Sequence, residues 1–279
     1  MAAEGYGIEW SAGLQRGTDA ELDAWLAFAL EMCTAADAIS LAAFRSEIEV
    51  SRKADGSFVT PADQAIERLI RERISAAFPD HAIVGEEYGA DTADTRCRWF
   101  IDPIDGTHNF LRGMPVFATL LAVECDGELQ VGVVSAPALG RRWWARRGGG
   151  AWVTEPGSPG PRRVHPSPVD DIGNAQVVYR SILDMRGSRV AAGFEQLIGN
   201  VWRERGIGDF WGYMLVAEGA AELMVERDLG PWDLAAPWIV VEEAGGRVTD
   251  FDGRRDVFGS EGMASNGLLH DRFLARLRE

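Results

Sequence analysis

The stretch Trp99-Phe100-Ile101-Asp102-Pro103-Ile104-Asp105-Gly106-Thr107-His108-Asn109-Phe110 is the most informative part of this sequence. An apolar run that reads as a strand ends on Asp102, Pro103 has no N–H with which to continue pairing, and a second acid follows at Asp105. A turn there can aim two hard carboxylate ligands at one point. Gly106 and Thr107 then offer backbone N–H groups free of steric cover, which suits an anion if a helix or tight turn begins there. Taken alone, an Asp beside Pro or Gly is an ordinary turn residue. Three other acids argue against the ordinary reading. Glu86 follows the apolar Ile83-Val84, Asp233 opens an apolar helix after Trp232, and Asp63 begins another helix just after Thr60. N-capping accounts for Asp63 or Asp233 singly, but not for acids opening so many elements. If these groups converge they repel one another unless cations fill the space between them, which is the arrangement of a multi-Mg²⁺ site for phosphoryl transfer.

Outward from this stretch, Thr18-Asp19-Ala20-Glu21 is a capping box for a first helix, which continues through Leu22, Trp25, Phe28, Ala29 and Met32 towards Phe44. After a turn at Lys53-Ala54-Asp55-Gly56, Thr60 caps a second helix with Pro61 at its first position and Ile66, Leu69, Ile70 and Ile74 on one face. Short strands follow at 81–84, 98–101, 117–123 and 129–135, which predicts helices packed on a mainly antiparallel sheet. Residues 148–168 are rich in Gly and Pro and read as an exposed loop or a seam. A boundary near Pro156 divides the chain into 1–155, with most of the candidate ligands, and 156–279, with Asp233 and the residues expected to set specificity. In the second half the pattern predicts strands at 176–179 and 223–226. Helices are predicted at 209–221 and 234–244, with Pro237 tolerated in the first turn of the latter and Gly245-Gly246 ending it.

The 279 residues, 46% hydrophobic, suffice for a sizeable core. With 28 Lys and Arg against 43 Asp and Glu, the net charge of -15 repels nucleic acid and anionic lipid. Bound divalent cations are the usual means by which such a surface accepts an anionic small molecule. Cys33, Cys97 and Cys125 form no metal-binding spacing and read as belonging to a reducing cytoplasm. No leader-like N-terminus and no apolar run of membrane-spanning length is expected. Arg141, Arg142, Arg146 and Arg147 flank Trp143-Trp144 and read as a solvated strand edge.

These motifs resemble the inositol monophosphatase family. The resemblance rests on Asp102-Pro103-Ile104-Asp105-Gly106-Thr107 and on Trp232-Asp233-Leu234-Ala235-Ala236 running to Glu243-Ala244-Gly245-Gly246. Lys53-x-Asp55-Gly56, Val59-Thr60-x-Ala62-Asp63 and Gly85-Glu86-Glu87 extend it in the same order. It covers the chain from about residue 24 onward, and it implies a mixed α/β fold, the layered αβαβα sandwich. By this resemblance Glu86, Asp102, the carbonyl of Ile104, Asp105 and Asp233 hold two to three Mg²⁺ ions. Asp63 and Thr107 orient and help deprotonate the attacking water, and the amides of Gly106 and Thr107 receive the phosphate. His108 reads as a neighbour of Thr107 rather than a general base. Homodimers are usual in the family.

Substrate choice is expected to rest on the second half. Gly206-Ile207-Gly208-Asp209-Phe210-Trp211-Gly212-Tyr213 departs from the inositol type and, with Asn109-Phe110-Leu111-Arg112-Gly113-Met114-Pro115-Val116, resembles the histidinol-phosphate phosphatase branch. Asp209 and Glu226 would each offer a charge-assisted hydrogen bond to the amine or imidazole of histidinol phosphate. Phe210, Trp211 and Tyr213 read equally as substrate contacts or as a packed helix face. The competing readings are an inositol-1-phosphate or broad sugar-phosphate phosphatase and, from another class, a non-catalytic regulatory protein of the same fold.

Overall fold

The structure, a computed structural model, describes residues 17–279 apart from 47–49, 54, 55, 57, 93 and 94. Ala54 and Asp55 of the expected turn, and most of the N-terminal stretch, therefore lie outside the described residues; across the turn the Gly56 amide donates to the Lys53 carbonyl at 3.0 Å. Helix α1 (Asp19–Ala43) starts where the capping box sets it, with Thr18 and Glu21 bonded reciprocally. A two-stranded ribbon, β1 (Ser51–Arg52) and β2 (Phe58–Val59), precedes α2 (Pro61–Ala77), capped by Thr60. There follow β3 (Ala82–Gly85), β4 (Gly89–Ala90), β5 (Cys97–Asp105), α3 (Thr107–Leu111), β6 (Ala118–Cys125), β7 (Glu128–Ala136), β8 (Arg141–Arg146), β9 (Gly150–Thr154) and β10 (Arg162–Arg163). The second half runs β11 (Gln176–Tyr179), α4 (Ile182–Arg186), α5 (Ala191–Ile198), β12 (Arg203–Gly206), α6 (Asp209–Ala217), β13 (Leu223–Arg227), α7 (Pro231–Ala244), β14 (Arg247–Thr249), β15 (Glu261–Ser265) and α8 (His270–Leu277).

Strands β3 to β10 form one sheet in the order β10-β9-β8-β7-β6-β5-β3-β4, in which, among the described residues, only β3 and β5 pair in parallel. The second sheet has the order β12-β11-β13-β15-β14. Helices α1 and α2 cover one face of the first sheet, where Leu22, Ile66, Trp99 and Leu121 are buried together. On the other face α6 and α7 lie between the two sheets, with Leu120, Tyr213, Met224 and Ile239 in one core. A third core under α5 and α8 completes the five layers of the expected α/β sandwich. Because β6 is buried on both faces, its centre, residues 120–123, reads as a continuous apolar run rather than an alternating one.

Several readings of the sequence are corrected. Pro103 does not end β5: the strand continues to Asp105, and Thr119 Oγ1 of β6 donates to the Pro103 carbonyl at 2.9 Å across the gap that the missing N–H leaves. The stretch 148–168 is not a bare loop, since β9 and β10 extend the first sheet. β8 is not an edge, and its arginines are paired, Arg141 with Glu155 and Glu218 and Arg142 with Asp37. α6 is shorter than expected, ending at Ala217, and α7 starts at Pro231, which puts Pro237 in the second turn. By length and composition α1 is long and apolar enough to cross a membrane, contrary to expectation; one face of it, from Leu22 to Ser40, is buried against the first half of the fold. Cys97 and Cys125, which a reducing compartment would leave as thiols, are register partners and form a disulfide, while Cys33 is free and buried.

Candidate active site

The geometry of the site begins with a bulge. Asp102 lies opposite Leu120 and Asp105 opposite Ala118, so β5 advances three residues while β6 advances two. In a regular strand, side chains three apart point to opposite faces; the extra residue resets the alternation and turns both aspartates to the side of Leu120 and Ala118. That is the side covered by α7, whose third residue is Asp233. Its carboxylate accepts from the Gly230 amide at 2.6 Å, and its amide donates to the Gly230 carbonyl at 3.2 Å. One carboxylate oxygen each from Asp102, Asp105 and Asp233 lies within 4.8 Å of the others.

The remaining predicted residues are placed around this trio. Gly106 caps α3 with φ +78°, and a Cβ there would lie 2.9 Å from the Val116 carbonyl, which explains the glycine. Thr107 Oγ1 donates to the carbonyl of Ile104 at 3.0 Å. Asp63, fully buried, accepts from the amide of Thr60 at 2.9 Å and from its hydroxyl, so no hydrogen bond joins it to Thr107 among the described residues. Glu86 lines the same cavity of about 450 Å³ as Asp102, Asp105 and Asp233, with Lys53 at 2.9 Å. Asp209 begins α6 with φ +54°, accepts from Asn109 Nδ2 at 3.3 Å, and is followed by Phe210, whose amide donates to Asp105 Oδ2 at 2.6 Å. Glu226, at the end of β13, is 2% exposed.

Sequence reading missed three participants. Glu67, fully buried one turn after Asp63, accepts from the amides of Glu87 (2.7 Å) and Tyr88 (3.1 Å) and so fixes the turn that presents Glu86. Its signal was an acid on the apolar stripe of α2. Arg180 lies 3.5 Å from Glu226 and 3.1 Å from Asp184, and both Arg180 and Asp184 line the cavity. Nothing in their local sequence marked them.

Electrostatically the cluster is self-repulsive. Burial, reinforced by Glu86, Asp105 and Asp233, holds Asp102 well above the usual carboxylate range; burial and then Asp209 and Asp233 do the same to Asp105. Asp233 is pushed up to about 7 by burial and Glu86. Burial lifts Asp63 to about 6 against the opposing effect of its bonds to Thr60. Burial opposes the charge of Lys53, but Glu86 and Glu87 hold it above its ordinary value. Asp102 Oδ1 and Asp63 Oδ1 are buried with no hydrogen-bond partner among the described residues. Orphaned carboxylate oxygens in a mutually repelling set are what hard divalent cations satisfy.

A sequence profile of the inositol monophosphatase family matches residues 21–279. The chain is 43% identical over 253 residues to a histidinol-phosphatase of Mycobacterium tuberculosis, covering 90% of this chain and 97% of that protein. It is 44% identical over 253 residues to a histidinol-phosphatase of Streptomyces coelicolor, covering 89% and 94%. Among solved structures, the extragenic suppressor protein suhB from Bartonella henselae superposes with a TM-score of 0.82 at 27% identity, over 92% of this chain and 99% of that one.

Proposed function

The chain belongs to the inositol monophosphatase family and is a phosphoric monoester hydrolase, and we propose that it hydrolyses L-histidinol phosphate to L-histidinol in histidine biosynthesis with Mg²⁺ as its metal. One observation carries the choice of substrate: the cavity that holds the metal-ligating aspartates is also walled by Asp209 and adjoins buried Glu226, acids suited to a cationic leaving alcohol rather than a neutral polyol. The family is metal-dependent. Asp102, Asp105, Asp233, Glu86 and the Ile104 carbonyl would hold two to three ions, which when bound neutralise the phosphoryl oxygens and make hydroxide available near neutral pH. The amides of Gly106 and Thr107 receive the phosphate. Asp63, with a carboxyl that titrates near 6, is ionised at neutral pH and takes a proton from the attacking water, which Thr107 helps to orient. Water attacks phosphorus in line with the ester oxygen, the P–O ester bond breaks, and the leaving oxygen takes a proton from solvent as the alcohol departs towards Asp209 and Glu226. The enzyme acts as a homodimer, testable by light scattering.

The decisive measurement is steady-state phosphate release with Mg²⁺ from L-histidinol phosphate and from inositol 1-phosphate side by side. We expect kcat/KM for the former to exceed the latter by roughly a hundredfold, the order that one or two charge-assisted hydrogen bonds supply. Asp209→Ala should raise KM for histidinol phosphate far more than for a polyol phosphate. Equal effects on both would refute the assignment.

A further inference from the structure

Adjoining the main cavity is a small chamber of about 30 Å³, which shares Asp105, Asp209, Asp233 and Arg180 with it and is closed by Tyr213 and Glu226. Two polar atoms on its wall have no hydrogen-bond partner among the described residues, Glu226 Oε2 and Tyr213 Oη, on side chains 2% and 1% exposed. Such atoms are seldom left unsatisfied in a finished site. The space for the phenol is kept deliberately: any side chain at Gly262 would collide with Tyr213 Oη. A chamber of this size has room for a water-sized group.

Charge then narrows what that group is. If Asp105 and Asp233 serve the metal, Asp209 and Glu226 remain, opposed by Arg180. Arg180 lies 3.5 Å from Oε1 of Glu226 and is shared with Asp184 (3.1 Å). Two carboxylates against one shared guanidinium leave the chamber short of a positive charge. A primary ammonium has the size of water, one positive charge and three N–H donors. We propose that this chamber is the receptor for a primary ammonium carried on the carbon next to the ester carbon, donating to Glu226 Oε2, Tyr213 Oη and Asp209, and that Tyr213 is thereby a specificity-determining residue. The inference rests on the reading of a cationic leaving alcohol and deepens it: the amine, not the imidazole, occupies the acidic chamber, and any 2-amino-alcohol phosphate shares the feature.

The test uses a minimal pair, 2-aminoethyl phosphate and propyl phosphate, which differ by an ammonium in place of a methyl group, with phosphate release followed in Mg²⁺. The wild-type KM should be at least roughly tenfold lower for the amine. Tyr213→Phe, which keeps the ring and its packing, should raise KM for the amine at least roughly fivefold more than for propyl phosphate. Should that variant fail to fold, 2-(trimethylammonio)ethyl phosphate on the wild-type enzyme decides the matter: it carries the charge but has no N–H to donate to Glu226 Oε2 or Tyr213 Oη, so its KM should lie well above that of 2-aminoethyl phosphate. Equal KM values for the minimal pair, an equal effect of Tyr213→Phe on both, or tight binding of the trimethyl ester each overturns the chamber. The histidinol reading fails separately, if histidinol phosphate is turned over no better than inositol 1-phosphate while the preference for 2-aminoethyl phosphate stands.

Discussion

Residues in this protein act largely through partners that fix a single state. His270, fully buried, shows this away from the site. Thr249 Oγ1 donates to the Asp250 carbonyl, so it accepts from His270 Nε2–H at 3.0 Å, and Ser265 Oγ donates to Nδ1 at 2.8 Å. The network fixes a neutral imidazole, and burial together with Arg247 holds its pKa down to about 4. Since the unfolded chain binds that proton near pH 6.5, the contribution is complete above that pH and is lost as pH falls from about 6.5 to about 4, by up to about 3 kcal/mol. Urea midpoints of the wild type and of His270→Asn across this window should converge as the pH falls. Parallel curves would mean that His270 takes no part. At the site, Glu67→Gln removes an acceptor from the turn bearing Glu86. It should lower kcat by roughly tenfold or more without a matching loss of thermal stability, because mispositioned groups behind ligands typically cost that much.

At the scale of elements, the bulge in β5 and the close seat of α7 on β7 determine where the chemistry happens. Gly132 of β7 lets that helix approach: a Cβ there would stand 2.5 Å from Ile239 Cγ2 and 2.9 Å from the carbonyl of Ala236. Gly132→Ala is therefore expected to cost about 1–3 kcal/mol, read as a lower urea midpoint, and to reduce activity by tilting the helix that carries Asp233. Pro237, in the second turn of α7, has no N–H for the carbonyl of Asp233 four residues earlier, so the backbone of that turn is freed beside the carboxylate cluster. The disulfide ties the far ends of β5 and β6, five residues before Asp102 along the strand.

For the whole molecule, the carboxylate cluster is a joint between distant parts of the chain, with Asp102 and Asp105 from the first sheet and Asp233 from the helix under the second. Mutual repulsion makes the joint costly without cations, so saturating Mg²⁺ should raise the thermal midpoint by about 5 °C or more, and Asp102→Asn should abolish most of that rise. A midpoint indifferent to Mg²⁺ in the wild type would contradict the joint. Much of this was legible beforehand. Capping boxes at Thr18 and Thr60, apolar stripes at helical spacing and acids at element ends are local patterns, set by chemistry within a few residues, and they determined the helices, the mixed helix-and-sheet character and which acids are candidates for holding metal. Contacts distant in sequence were decided only by folding. Alternation alone would send Asp102 and Asp105 to opposite faces, and only pairing with β6 reveals the extra residue that unites them. Glu67, Arg180 and the orphaned hydroxyl of Tyr213 gain their roles from neighbours that no spacing announces, because burial and charge are properties of the surroundings, and the surroundings exist only once the layers close.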